Sequence, residues 1–113
     1  MPPDTLCAGA AARWELRVTN RSALPLTVTF PSTQGGDVSL GRDGVEHYRW
    51  SEGRVFAQMI EERQLGPGEA WACVLEGSLD VQPGRYEATG TMACRPAPPA
   101  ARASVVVAAA DGD

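Results

Sequence analysis

Few residues in this 113-residue chain are equipped for bond-making chemistry. It has one histidine, His47, three cysteines, Cys7, Cys73 and Cys94, and ten basic residues, all arginine. The lack of lysine excludes Schiff-base chemistry and lysine nucleophiles. The cysteines match no Cys-x-x-Cys spacing and cannot close into a complete disulfide framework, so neither a zinc site nor a redox pair is indicated. Glu61 and Glu62 are adjacent and therefore diverge, which suits solvated charge better than an acid and base working together. The sequence contains no Gly-x-Ser-x-Gly turn, no His-Glu-x-x-His and no glycine-rich phosphate loop. The expectation is a protein that is not an enzyme and takes no cofactor or metal.

The richest stretch is His47–Gln58, His-Tyr-Arg-Trp-Ser-Glu-Gly-Arg-Val-Phe-Ala-Gln. In an extended chain Tyr48 and Trp50 project from one face, and His47, Arg49 and Ser51 from the other. This pattern predicts an anchor, with Trp50 a buried aromatic on a central strand. Glu52-Gly53 forms a turn, after which Val55 and Phe56 return two more apolar groups to the core. Stacking of nucleobases on Tyr48 and Trp50 would need basic charge around them. The formal net charge is −4 and the arginines are scattered, so nucleic acid is not an expected partner.

The elements that must hold this stretch alternate with period two. Arg13–Thr19 puts Trp14, Leu16 and Val18 on one side. Leu24, Leu26, Val28 and Phe30 face inward in the next run, and Asn20-Arg21-Ser22 between them reads as the turn of a hairpin. The same tripeptide is formally a glycosylation sequon. Val38 and Leu40 lead through Asp43-Gly44, a strong hairpin signal, into a strand over Val45–Ser51. Val55–Gln64 reads as irregular. Trp71, Cys73 and Leu75 share a face of Glu69–Leu75, and Glu76–Pro83 is a loop. Tyr86, Ala88, Gly90, Met92 and Cys94 share a face of Arg85–Cys94. Arg95–Ala100 is a stiff, proline-rich connection, Val105 and Val107 lie in the final strand, and Asp111–Asp113 frays. The pattern predicts an all-β immunoglobulin-like antiparallel β-sandwich of about seven or eight strands, a single domain over residues 1–113.

Composition agrees with this. Hydrophobic residues make up 43% and charged residues 21%, typical of a globular domain. The longest apolar run, Val105–Ala110, is too short to cross a bilayer, so no membrane association is expected. The N-terminus lacks a basic segment ahead of an apolar one, so no export signal is visible and a cytoplasmic location is expected. Cys73 and Cys94 point inward and are expected to be unpaired thiols, with Cys7 the first to react.

Five stretches then stand out in order: Trp14-Glu-Leu-Arg-Val-Thr-Asn20, Leu26-Thr-Val-Thr-Phe-Pro-Ser32, Tyr48-Arg-Trp-Ser51 ahead of Val55-Phe-Ala-Gln58, Leu65-Gly-Pro-Gly-Glu69 and Pro83-Gly-Arg-Tyr-Glu87. Together they resemble the BsuPI family of intracellular proteinase inhibitors. The resemblance implies an immunoglobulin-like sandwich and inhibition of a subtilisin-like serine proteinase in the bacterial cytoplasm. The protein is expected to be a monomer. A substrate-like inhibitor needs an exposed loop already held extended, so that little ordering entropy is lost on binding. Two loops are candidates: Glu76–Pro83, with Leu79 as the apolar side chain for a subtilisin-like pocket, and Arg95–Ala100, stiffened by Pro96 and Pro98. Both also read as ordinary strand connections. The alternative function is an immunoglobulin-like interaction or envelope-associated domain with another partner.

Overall fold

The computed structural model describes residues 5–109, with side chains from Ala8 onward. Among these residues the chain forms nine strands: β1 (Thr5–Cys7), β2 (Ala11–Thr19), β3 (Leu26–Phe30), β4 (Gly36–Arg42), β5 (Val45–Arg49), β6 (Glu61–Leu65), β7 (Ala70–Ser78), β8 (Gly84–Met92) and β9 (Ala101–Ala108). The largest sheet has the order β1-β9-β8-β4-β5, and β2–β7 and β3–β6 form two further ladders. Every ladder is antiparallel except β1–β9, where Thr5 to Cys7 run parallel to Val106 to Ala108. The expectations for the Cys7 thiol and for Asp111–Asp113 lie outside the described residues and side chains.

Alternation sets which side chains face inward. On β8, Tyr86, Ala88 and Met92 are buried while Arg85, Glu87 and Thr91 are exposed. Leu40 on β4 and Val105 and Val107 on β9 join Tyr86 and Leu79 in one apolar cluster, against which Trp14 and Tyr48 pack. A second cluster gathers Val28, Phe30, Met92 and Cys94, with Leu16, Trp71 and Cys73 against it. Full burial of a Leu or Val contributes about 1.5–3 kcal/mol, and Leu40, Leu79, Val28, Val38 and Val107 are each almost wholly enclosed, with Tyr86 and Phe30 nearly so.

Two glycines let the layers meet. A Cβ on Gly90 would lie 2.5 Å from Leu16 Cδ2, and one on Gly36 would lie 2.7 Å from Leu16 Cδ1 and from the Thr91 carbonyl. Leu16 of β2 therefore seats directly on β4 and β8. Tyr86 adds a polar tie, its hydroxyl donating to the Gln82 carbonyl at 2.6 Å, four residues upstream. That back-bond near the start of a strand is the tyrosine corner of immunoglobulin-like sandwiches.

The Asp43-Gly44 hairpin forms as expected. Both residues have positive φ, 55° and 77°, as a type I′ turn requires. The first expected hairpin does not form: β2 pairs with β7, Trp14 opposite Leu75, and β3 pairs with β6, Val28 opposite Arg63. The cause is Asn20, which is 3% exposed and sits at a crossing between ladders. Its Nδ2 donates to the Leu24 and Leu65 carbonyls, at 2.9 and 2.8 Å. Its Oδ1 accepts from the Ser22 amide and hydroxyl. A side chain spent in this way is no sequon acceptor in the folded protein. Leu24, expected to face inward, is displaced outward and is exposed.

Candidate functional site

The His47–Gln58 stretch lies at a sheet edge, because β5 pairs only with β4 among the described strands. The central strand expected for Trp50 is corrected accordingly: Trp50 follows the end of β5 and is half-buried. The chain is steered here by Asp37, 8% exposed. Its carboxylate accepts from the Ser51 hydroxyl at 2.6 Å, the Ser51 amide at 3.0 Å, Arg49 Nη1 at 3.0 Å and the Val38 amide at 2.9 Å. Glu46 and then Asp37 hold the Arg49 guanidinium still more firmly protonated than usual. A buried carboxylate met by this many donors is satisfied, and it closes the end of β5 against β4.

Beyond Ser51 a turn through Gly53 reverses the chain, the Arg54 amide donating to the Ser51 carbonyl at 3.1 Å. Arg54 then folds back. Its guanidinium lies 4.2 Å over the Trp50 ring, its Nε donates to the Trp50 carbonyl at 2.8 Å and its Nη2 to the Glu76 carbonyl at 3.0 Å. The Trp50 indole N–H donates to that same Glu76 carbonyl at 3.0 Å. Gly77 leaves the room this needs, since a Cβ there would run into Arg54 Nη2. Phe56 also packs on Trp50, the two ring centroids 5.8 Å apart. Ala57 is held at both backbone groups: the Thr33 amide donates to its carbonyl at 2.9 Å, and its own amide donates to Thr33 Oγ1 at 3.0 Å. Val55, between these supports, is 96% exposed. Its expected return to the core does not occur, because Phe56 takes the inward position and alternation turns its neighbour out.

The residues singled out by sequence are not gathered in one place. Leu79 is 0% exposed and packs in the apolar cluster with Leu40, Tyr86 and Val107. Its side chain therefore cannot enter a proteinase pocket, and that candidate contact is corrected. Its backbone is committed too, pairing with the Ala10 carbonyl at 3.0 Å and the Gly9 amide at 2.7 Å. Pro96 is exposed and Pro98 half-buried, and both line a cavity of ≈ 300 Å³ with Val18, Leu26 and Val28. Arg95 bonds to Thr29 in both directions at 2.9 Å, which fixes the start of that connection.

Bond-making groups are also apart. His47 is exposed, its ring edge-on to Tyr86 at 5.6 Å, and it borders a groove of ≈ 510 Å³ with Asp80 and Gln82. Among the described residues no group of three or more His, Cys, Asp or Glu is placed to hold a metal ion. Cys73 and Cys94 are free thiols, and burial pushes both to higher pKa, away from the thiolate a nucleophile needs. What the geometry does offer is a run of chain, 54–60, clamped from behind and apolar in front. Sequence reading treated it as irregular. The available signal was a six-residue run with no charge and no clear period between Arg54 and Glu61.

Comparisons with known proteins bear on the fold and on the family. The fold is similar to the CARDB domain of a Pyrococcus furiosus protein, solved in complex with di-metal ions. That match has a TM-score of 0.52 and 19% identity, and it covers 96% of this chain and 87% of the other. It supports the immunoglobulin-like sandwich. No curated protein matches the sequence. The family model described as intracellular proteinase inhibitor matches residues 4–97, most of the chain and all but one of the strands. The protein therefore belongs to the intracellular proteinase inhibitor family, BsuPI.

Proposed function

We propose that the protein binds and inhibits a subtilisin-like serine proteinase in the bacterial cytoplasm, acting as a monomeric, non-catalytic binding domain. The observation that carries this reading is membership of an inhibitor family over residues 4–97. The scaffold supports it, because a sandwich stiffened by two apolar clusters can hold a surface segment in one conformation, and ordering already completed in the free protein is not charged against binding. Pro96 keeps a free surface and Pro98 part of one, so the Arg95–Ala100 connection remains a candidate contact.

Stoichiometric titration of a purified subtilisin-like serine proteinase tests the reading. Activity falls in proportion to added protein, and the protein is recovered uncut by mass spectrometry. Digestion of the protein, or full proteinase activity at large excess, would turn the reading to the second one, an immunoglobulin-like domain with a different protein partner. That second reading draws on the CARDB-like fold alone.

A further inference from the structure

We propose that Val55–Ile60 is the segment that enters the proteinase substrate cleft, with Val55 the side chain presented first. The inference rests on the inhibitor reading and names its contact surface. Large apolar side chains are exposed at seven described positions, Leu24, Val45, Val55, Met59, Ile60, Val74 and Val106, and three of the seven fall within these six residues. Val55, Met59 and Ile60 are 96%, 65% and 77% exposed. Scattered surface valines need no explanation, but three large exposed apolar side chains within six residues concentrate apolar surface in one connection. The segment carries no charge, so it fits a cleft that accepts aliphatic side chains.

Its backbone suits the same partner. Proteinase clefts bind extended peptide by main-chain hydrogen bonds, as an added strand does. Among the described residues, neither backbone group of Val55, Phe56 or Gln58 is hydrogen-bonded to the rest of the protein, so these groups are free to pair. The positions on either side are not free. Arg54 is fixed over Trp50 and onto the Glu76 carbonyl, Phe56 rests on Trp50 through its ring, and Ala57 is tied to Thr33. The Met59 amide donates to the Ala57 carbonyl at 3.0 Å, a bond between residues two apart that turns the chain at Gln58. The segment is therefore already ordered before the proteinase arrives, and Val55–Phe56 is its open stretch.

The test is inhibition of one purified subtilisin-like serine proteinase by the full chain and four variants. Val55→Asp raises the concentration needed for half-inhibition by roughly 30-fold or more, the loss typical of an interface hot spot. Its unfolding midpoint stays at the wild-type value, because the side chain touches little. Gly77→Ala displaces Arg54 and weakens inhibition several-fold with every side chain of the segment unchanged. Val45→Asp, an exposed apolar position at the Asp43-Gly44 hairpin, inhibits like wild type. If Val55→Asp inhibits as well as wild type, or if Pro96→Asp abolishes inhibition while Val55→Asp retains it, the segment is not the contact. Failure of the wild-type chain to inhibit sinks the underlying reading, a result distinct from either of these.

Discussion

Of the connections that cross between sheets, those from β2 to β3 and from β5 to β6 resolve polar and apolar groups in opposite ways. Between β2 and β3 the chain turns its polar groups inward: Asn20 is buried, makes four side-chain hydrogen bonds, and through its backbone takes the Glu69 carbonyl and the Gly68 amide at 2.9 and 2.7 Å. The large apolar residue there, Leu24, is the one left outside. Between β5 and β6 the polar contacts lie behind the chain, through Asp37, Arg54 and Thr33, and three large apolar residues lie in front. The first connection spends its interactions on holding β3, β6 and β7 together. The second spends them on holding a surface still. A buried polar group with every bond made signals folding, whereas rigid backbone under exposed apolar groups signals binding.

Breaking the first connection costs most. Asn20→Ala leaves the buried Leu65 carbonyl without its side-chain donor and unties the turn through Ser22, and destabilises the protein by roughly 2–3 kcal/mol on the usual cost of an unmade buried hydrogen bond. Chemical denaturation checks this, and a loss under about 1 kcal/mol would show that water replaces the side chain. Trp50→Ala, at the base of the second connection, costs less, about 1–2 kcal/mol, because the ring is half-buried at an edge rather than enclosed on a central strand. Its larger effect falls on the segment: amide exchange quickens at residues 54–57 and not at Asn20.

Rising pH loosens the structure more gently, through groups that belong to neither connection. Burial raises the pKa of Cys73 and Cys94 above 9.0 and of Tyr48 above 10.0, the last against an opposing pull from Arg54. Above those ordinary values the unfolded chain releases protons that the folded chain keeps, so stability is full below pH 9 and declines as pH rises through the shifted values. Denaturation midpoints at pH 7, 9 and 10.5 reveal this, and a flat profile would place the thiols and the phenol in water. The smallest effect is that of Val55→Asp on stability, within about 0.5 kcal/mol.

How far this was legible in the sequence depends on range. Asp43-Gly44 is local, and its turn type demands the positive φ that those residues tolerate, so that hairpin could be read directly. Alternation placed Trp71, Cys73 and Leu75, and Tyr86, Ala88 and Met92, on inward faces, as found. Partner choice was not legible, because period two assigns a face and not a neighbour. Trp14 meets Leu75 rather than the strand that follows it. Leu79 was misplaced by a boundary: the inward series of β7 continues through Gly77 to Leu79, so counting by two past Leu75 puts it in the core. Val55 was misread for the opposite reason. Apolar character normally predicts burial, and it fails here because Phe56 takes the inward position and the backbone turns Val55 out.

Amide hydrogen exchange with and without a bound subtilisin-like serine proteinase, its active-site serine replaced so that nothing is cut, tests the contrast between the two connections most directly. The account predicts new protection within residues 55–60, at the Val55, Phe56 and Gln58 amides that are free in the unbound protein, and unchanged exchange over residues 20–24. Protection confined to Arg95–Ala100, or absent from 55–60 in a complex that does form, would contradict it.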